Sequence, residues 1–371
     1  MNTQTQKNVP ELRFPAFSGE WSRNKLGLLA TIKTGNKDTQ NKNDRGKYPF
    51  FVRSDNIEKI DSYSLDCEAV LTSGDGVGVG KNFHYINGKF DFHQRVYAIY
   101  DFNNLLNCMF FYQFFKQNFL KRVIRLSAKN SVDSVRMSMI SEMKIPCPII
   151  EEQQKIADFL TAVDEKITAL REKKEALTTY KKGVMQQLFS GTLRFTQDDS
   201  TPYPDWEEKK LGNLAKRERS NVTLTDTLGH EEGFPVYGAA GHVGYLPSYR
   251  IESDYIAIIK DGAGVGRMIK CKGKSSILAT LDVILPRGNT DLLFLYNFMQ
   301  TIHFEKYNVG STIPHIYYKD YAREKVNVPC VEEQKKIGEF LNALDHKIEC
   351  TEQSINSATR FKKSLLQKMF V

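Results

Sequence analysis

The stretch PIIEEQQKIADFLTAVDEKITALREKKEALTTYKKGVMQQLF, residues 148–189, is written a second time near the end of the chain. Glu151 to Phe189 aligns without a gap to Glu332 to Phe370, 181 residues further on, and 16 of the 39 positions are identical. The identities include the openings Glu151, Glu152, Gln153 and Glu332, Glu333, Gln334, then Phe159/Phe340, Leu160/Leu341, Asp164/Asp345 and the doublets Lys181-Lys182/Lys362-Lys363. Shared composition does not produce such a match, so the chain contains an internal repeat.

In the first copy Ile156, Leu160, Val163, Ile167, Leu170, Lys174, Leu177, Lys181, Val184 and Leu188 alternate at spacings of four and three, a heptad seam. The second copy repeats it with Ile337, Leu341, Leu344, Ile348, Thr351, Ile355, Ala358, Lys362, Leu365 and Met369. Each copy predicts a helix of about 58 Å at 1.5 Å per residue, comparable with about 17 base pairs of B-DNA. Pro148 and Pro329 stand just before the helices, and Ser190-Gly191 closes the first. A single helix of this kind reads equally as an amphipathic core helix. Two copies with matching seams are covered most simply by pairing with each other, antiparallel and about a pseudo-two-fold axis. Leu160, Val163, Ile167, Leu170 and Leu177 are the expected pairing residues of the first helix, and Leu341, Leu344, Ile348, Ile355 and Leu365 those of the second. The seam lysines Lys174 and Lys181 are expected to meet Ile355 and Lys362.

Upstream, Leu12-Arg13-Phe14 mirrors Leu193-Arg194-Phe195, and Trp21 with Leu26-Gly27 mirrors Trp206 with Leu211-Gly212. Asp75-Gly-Val-Gly-Val-Gly-Lys81 recurs as Asp261-Gly-Ala-Gly-Val-Gly-Arg267, and Asn130-Ser131-Val132 is echoed by Ser311-Thr312-Ile313. The whole chain is therefore duplicated. The expected fold class is mixed α/β (α+β), with two tandem globular domains at 1–148 and 192–329 joined by long helices at 149–191 and 330–371. Small shifts of offset between landmarks put insertions inside the globular parts, where a recognition surface diverges.

With 371 residues, 41% hydrophobic and 26% charged, two ordinary cores are expected. The net charge of +8 suits a polyanionic partner without requiring one. Cys67, Cys108, Cys147, Cys271, Cys330 and Cys350 form no C-x-x-C pair and no zinc-ligand spacing with histidine, so no metal site is expected. They read as reduced thiols, giving an expected cytoplasmic location. Met1–Pro10 lacks the apolar run of a signal peptide, and Met109–Phe115 is too short to span a bilayer, so no membrane partner is expected.

The glycine loops do not fit a dinucleotide fingerprint, because Lys81 and Arg267 stand where its third glycine is required. A phosphate-cradling loop of the Walker type also fails, since no Ser or Thr follows Lys81 or Arg267. The loops read as tight turns between strands, whose terminal basic residue either meets a phosphate or is solvated. Trp21 and Trp206 read as packing residues rather than stacking platforms. No nucleophile–base set, metal-ligand pair or nuclease carboxylate cluster can be assigned among the residues, so no catalytic residue is expected.

Basic, polar and aromatic residues are interleaved in both globular parts. Lys and Arg can hold phosphates, and Arg reads guanine bidentately. Lys81, Arg95, Lys129, Asn130 and Arg136 in the first half, and Arg267, Ser311, Thr312, His315, Tyr317 and Lys319 in the second, are the candidate DNA contacts. Each alone reads as readily as a solvated surface residue; the stretches just before the long helices are the strongest.

The segments Trp21–Gly27 and Trp206–Gly212, the D-G-x-G-V-G-[KR] loops, and Pro148-x-x-E-E-Q and Pro329-x-x-E-E-Q opening the helices resemble the specificity subunits of type I restriction-modification systems. The resemblance covers essentially the whole chain. It implies two target-recognition domains, each reading one part of a bipartite double-stranded DNA site, with paired helices setting the unread spacer. It also implies that this chain is not an enzyme and carries no cofactor. Two modification subunits using S-adenosylmethionine to methylate adenine, and restriction subunits using ATP and Mg, would supply the chemistry. Two other readings stay open at this point. One is a nucleotide-using enzyme built on the glycine loops. The other is a coiled-coil structural or adaptor protein, which would bind all DNA sequences equally.

Overall fold

Both copies of the repeated stretch are helices, Ile150–Phe189 and Val331–Lys368. Each opens on two glutamates, Glu151-Glu152 and Glu332-Glu333, which complement the positive end of the helix dipole. The computed structural model describes residues 8–127, 134–310 and 312–371. Contacts divide the chain into two units, residues 1–170 with 353–371, and residues 171–352. Each unit thus holds one globular domain, the first half of the long helix that follows it, and the second half of the other long helix. Among the described residues no helix is long and apolar enough to cross a membrane.

In the first unit a six-stranded sheet runs in the order Thr31–Thr34, Val96–Tyr100, Leu65–Ser73, Phe83–Phe92, Tyr48–Phe51, Ile57–Ile60. All pairings are antiparallel except that of Phe83–Phe92 with Tyr48–Phe51. Strand alternation sends Val70 and Ile99 to one core and Ala69, Leu71 and Ala98 to another on the opposite face. The helix Cys108–Leu126 covers the first face with Phe110, Phe111, Phe114, Phe115 and Phe119, an apolar stripe at helical spacing. Asn107 starts that helix by accepting the Phe110 N–H at 2.9 Å. Trp21 is buried in the same core with its ring edge against Phe110, which bears out its reading as a packing residue.

In the second unit the sheet is split. Four strands run in the order Ala215–Arg219, Leu281–Pro286, Tyr255–Ile259, Met268–Cys271, and three in the order Gly241–Leu246, Phe234–Gly238, Ser276–Ile277. Tyr255–Ile259 is buried throughout because both faces are covered. Ile256 and Ile258 face the core that contains the helix Leu292–Met299, while Tyr255, Ala257 and Ile259 face a separate cluster. Asp291 caps that helix at the Phe294 N–H, 2.8 Å away, as Asn107 does in the first unit.

The repeated motifs outside the helices fasten each domain to them. Glu152 is fully buried and takes two bonds of 2.7 Å from Arg13, from Nε and Nη2. Glu333, equally buried, accepts from Arg194 Nε at 3.2 Å, Arg194 Nη2 at 2.8 Å and Trp206 Nε1 at 2.9 Å. The next residue completes the fastening. Gln153 accepts the Asn107 N–H and donates to the Pro148 carbonyl, and Gln334 accepts the Asp291 N–H and donates to the Pro329 carbonyl. The identity of these motifs between the copies therefore records one docking joint built twice.

Within each unit the two helix halves run antiparallel. In the second, Lys174 pairs with Glu352, and seven residues on, Lys181 pairs with Asp345 seven residues back, at 2.6 Å. In the first, Ile156 and Leu160 share a core with Leu365, Met369 and Phe370, and Asp164 meets Lys362 at 2.6 Å. Ile167, Leu344 and Ile355 are buried; Leu160 and Leu365 lie in the first domain's core, and Leu341 in the second's; Val163, Leu170, Leu177 and Ile348 are half-buried. The lysine partners differ from the sequence expectation. An antiparallel pair reverses order, so Lys181 faces Asp345 and Lys174 faces Glu352, not the residues that correspond to them under the repeat. Burial pushes the Lys362 ammonium below the usual lysine range, opposed by Asp164.

A fragment of residues 1–191 is expected to dimerise in this register. Under the repeat Lys181 stands for Lys362 and Asp164 for Asp345, so the enclosed ion pair survives, while Arg171 replaces Glu352 opposite Lys174. An exposed pair is worth about 0–1 kcal/mol. Sedimentation over a concentration range should show a dimer, and Arg171→Glu should tighten it by up to about fivefold per restored pair. A fragment that stays monomeric, or is loosened by Arg171→Glu, contradicts the register.

Candidate nucleic-acid interface

The glycine loop and the segment before the long helix meet in both units, although they are far apart in sequence. In the first, Gly74 donates to the Arg95 carbonyl at 2.7 Å and accepts the Val135 N–H at 2.7 Å, and Asp75 bridges Ser134. In the second, Gly262 donates to the Pro314 carbonyl at 2.9 Å, Ile316 donates to the Lys260 carbonyl at 3.0 Å, and Asp261 bridges His315. The loops follow directly on strands, after Ser73 and after Ile259 with one residue between. Gly76 and Gly262 have φ of 76° and 85°, where other residues are strained. A Cβ on Gly80 or Gly266 would lie 2.7 Å from Leu120 or 2.5 Å from Phe304, so only glycine lets the loop return this close to the core.

At the head of each loop the aspartate holds cationic or aromatic side chains. Asp75 takes Arg53 at 3.0 Å on one oxygen and faces Arg95 at 3.5 Å with the other. The arginine backbones are fixed too. Asn82 donates to the Arg53 carbonyl at 3.0 Å, and His93 Nδ1 accepts the Arg95 N–H at 2.9 Å. Burial and the nearby Arg53 lower the His93 pKa, which keeps that nitrogen available as an acceptor. Thr34, Asp75, Gln94, Arg95, Tyr97 and Ser134 line a cavity of about 480 Å³. In the second unit Asp261 hydrogen-bonds His315 Nδ1; the His315 and Tyr317 rings lie 4.2 Å apart, and Lys319 Nζ sits 5.4 Å from the Tyr317 ring centre. Below them Asp282 is buried between Arg217 at 3.6 Å and Lys260 at 3.8 Å, and burial raises its carboxyl pKa against both cations.

The sequence candidates fall as follows. Arg95 belongs to the first cluster, and His315, Tyr317 and Lys319 form the second. Lys81 is exposed at the loop end, Arg136 is exposed just before the short helix Met137–Ser141, and Thr312 is exposed three residues before His315 in the chain. Arg267 is exposed, its guanidinium Nη2 donating to the Ala239 carbonyl at 3.1 Å. Lys129, Asn130 and Ser311 lie outside the described residues. Asp75 and Asp261 as clamps were missed, as was Asp282. A lone carboxylate in the apolar run Leu281–Leu285 was the available signal for the last. Among the described residues no group of three or more His, Cys, Asp or Glu side chains is placed to hold a metal ion.

Residues 18–179 and 203–360 each match the family described as the type I restriction modification DNA specificity domain. The type I restriction enzyme EcoDI specificity subunit of Escherichia coli is 23% identical over 396 residues, spanning 95% of this chain and 88% of its own. The type I restriction enzyme MjaVIII specificity subunit of Methanocaldococcus jannaschii is 24% identical over 288 residues, 68% of this chain and 66% of its own. The crystal structure of the S subunit of a type I restriction-modification system from M. genitalium shares the fold, with a TM-score of 0.74 over 98% of this chain and 99% of that one at 20% identity. A chain from a structural study of complex assembly in a type I system has a TM-score of 0.52, covering 94% of this chain and 97% of that one, at 14% identity.

Proposed function

Because the chain belongs to the family of type I restriction-modification DNA specificity proteins, we propose that it selects the DNA site for such a complex and performs no chemistry itself. The observation that carries this reading is the duplication of the family domain together with its loop-and-segment cluster. One such cluster per repeat suits a bipartite site, each part read by one domain. The positive groups at the clusters suit phosphate contact, and their varied side chains suit base reading.

Two modification subunits are the partners that a twofold repeat would seat, one per half, with restriction subunits as further members of the assembly. S-adenosylmethionine, ATP and Mg would then be bound by those partners. The helix pair is the proposed seat. In the first unit Phe159, Leu170 and the exposed Phe361 line an apolar groove of about 630 Å³. The repeat sets Tyr180, also exposed, at the position equivalent to Phe361.

Mapping methylated adenines in the source genome with and without this gene tests the reading. A two-part motif is expected to lose its methylation when the gene is deleted. Unchanged methylation would overturn the assignment.

A further inference from the structure

We propose that the aspartate opening each glycine loop is a positioning residue for base reading, and that in the first unit Asp75 holds Arg53 and Arg95 to read a guanine in one half of the site. This rests on the reading that each repeat faces DNA, and it assigns the residues and the base.

Asp75 is recessed, its side chain 20% exposed, while Arg53 and Arg95 reach outward at 48% and 64%. Each arginine meets the carboxylate through one terminal nitrogen, Nη1. Among the described residues nothing else takes the other N–H groups of each fork, which are left to meet O6 and N7 of guanine, a geometry that lysine cannot reproduce. The carboxylate limits the rotamers of two long side chains, so less freedom is lost when DNA arrives. The backbone anchors from Asn82 and His93 restrict the same residues from the other side. The loop tip adds Val77, 94% exposed, an apolar side chain with no packing role and suited to a thymine methyl group.

The second unit uses the equivalent aspartate differently. Asp261 holds His315 against Tyr317, and the arginine of that loop, Arg267, donates through Nη2 to the Ala239 carbonyl rather than pairing with Asp261. No arginine fork is held by Asp261 among the described residues. One positioning device thus presents an arginine pair in one domain and a histidine–tyrosine–lysine set in the other, which gives the two half-sites different chemistry.

The test uses full-length variants in the source strain with its own modification machinery, read by methylome sequencing. Arg53→Lys and Arg95→Lys keep the charge and remove the fork. Each should relax a G·C position in one half of the motif, raising adenine methylation at sites with another base pair at that position relative to sites with the original one by about 5- to 150-fold. Asp75→Asn should relax the same position although both arginines remain, and the other half should stay unchanged. If a variant abolishes methylation, competition binding by the purified complex with base-substituted duplexes gives the same readout. Lysine variants that leave every motif position intact, or that weaken all duplexes equally, would overturn the proposal. So would relaxation confined to the half changed by Asp261→Asn. Methylation that survives gene deletion would instead refute the DNA-reading function itself, so the two failures are distinguishable.

Discussion

Replacing Arg13 by alanine should destabilise the protein by about 3–5 kcal/mol, the usual consequence of leaving one member of a buried ion pair without its partner. Glu152 is fully buried and, among the described residues, receives its side-chain bonds from Arg13 alone, so the variant strands a carboxylate in the joint between domain and helix. Arg194→Ala should cost less, because Trp206 Nε1 still donates to Glu333. Trp21, at the equivalent position in the first unit, has no hydrogen-bond partner for its Nε1 among the described residues. Replacing both members with apolar residues, Arg13→Met with Glu152→Leu, should recover most of the loss, since no charge then remains to be desolvated. Lys174→Ala, which breaks an exposed pair, should cost no more than about 1 kcal/mol. Urea denaturation of the full chain measures all four. An Arg13→Ala midpoint no lower than that of Lys174→Ala would mean the joint is not held as described.

The long helices were legible in the sequence because duplication marked their limits and the heptad marked their faces. Their partners were less so. A repeat shows which residues correspond, whereas an antiparallel pair decides which residues meet, and that is why Lys181 faces Asp345 rather than Lys362. The docking joint left a trace that went unread. Arg13 and Glu152 are 139 positions apart, and so are Arg194 and Glu333, a constant separation between the two motifs in both copies. The meeting of the glycine loop with the segment before the helix, as in Asp75 with Ser134 or Asp261 with His315, depends on strand order and long-range packing that no local pattern encodes. Arg267 shows the limit of reading charge alone. It matches Lys81 in the repeat, yet its guanidinium is bonded to a backbone carbonyl.

The second unit contains its own docking joint and loop cluster, both formed from residues between Arg171 and Glu352. Exchanging residues 201–320 for those of a relative that has a different specificity but keeps Trp206 and Asp291 leaves Arg194, Glu333 and Gln334 in place, so the new domain should seat on the same joint. It brings in new loops, including the positions of Asp261, His315, Tyr317 and Lys319. One half of the recognised motif should change completely and the other half should be retained, with no intermediate broadening of both. Methylome sequencing of a strain expressing the exchanged chain makes the measurement. A motif with one half replaced and the other half and the adenine spacing preserved is the predicted result; a motif whose two halves change together, or one that does not change at all, would contradict the account in which each repeat reads its own part of the DNA.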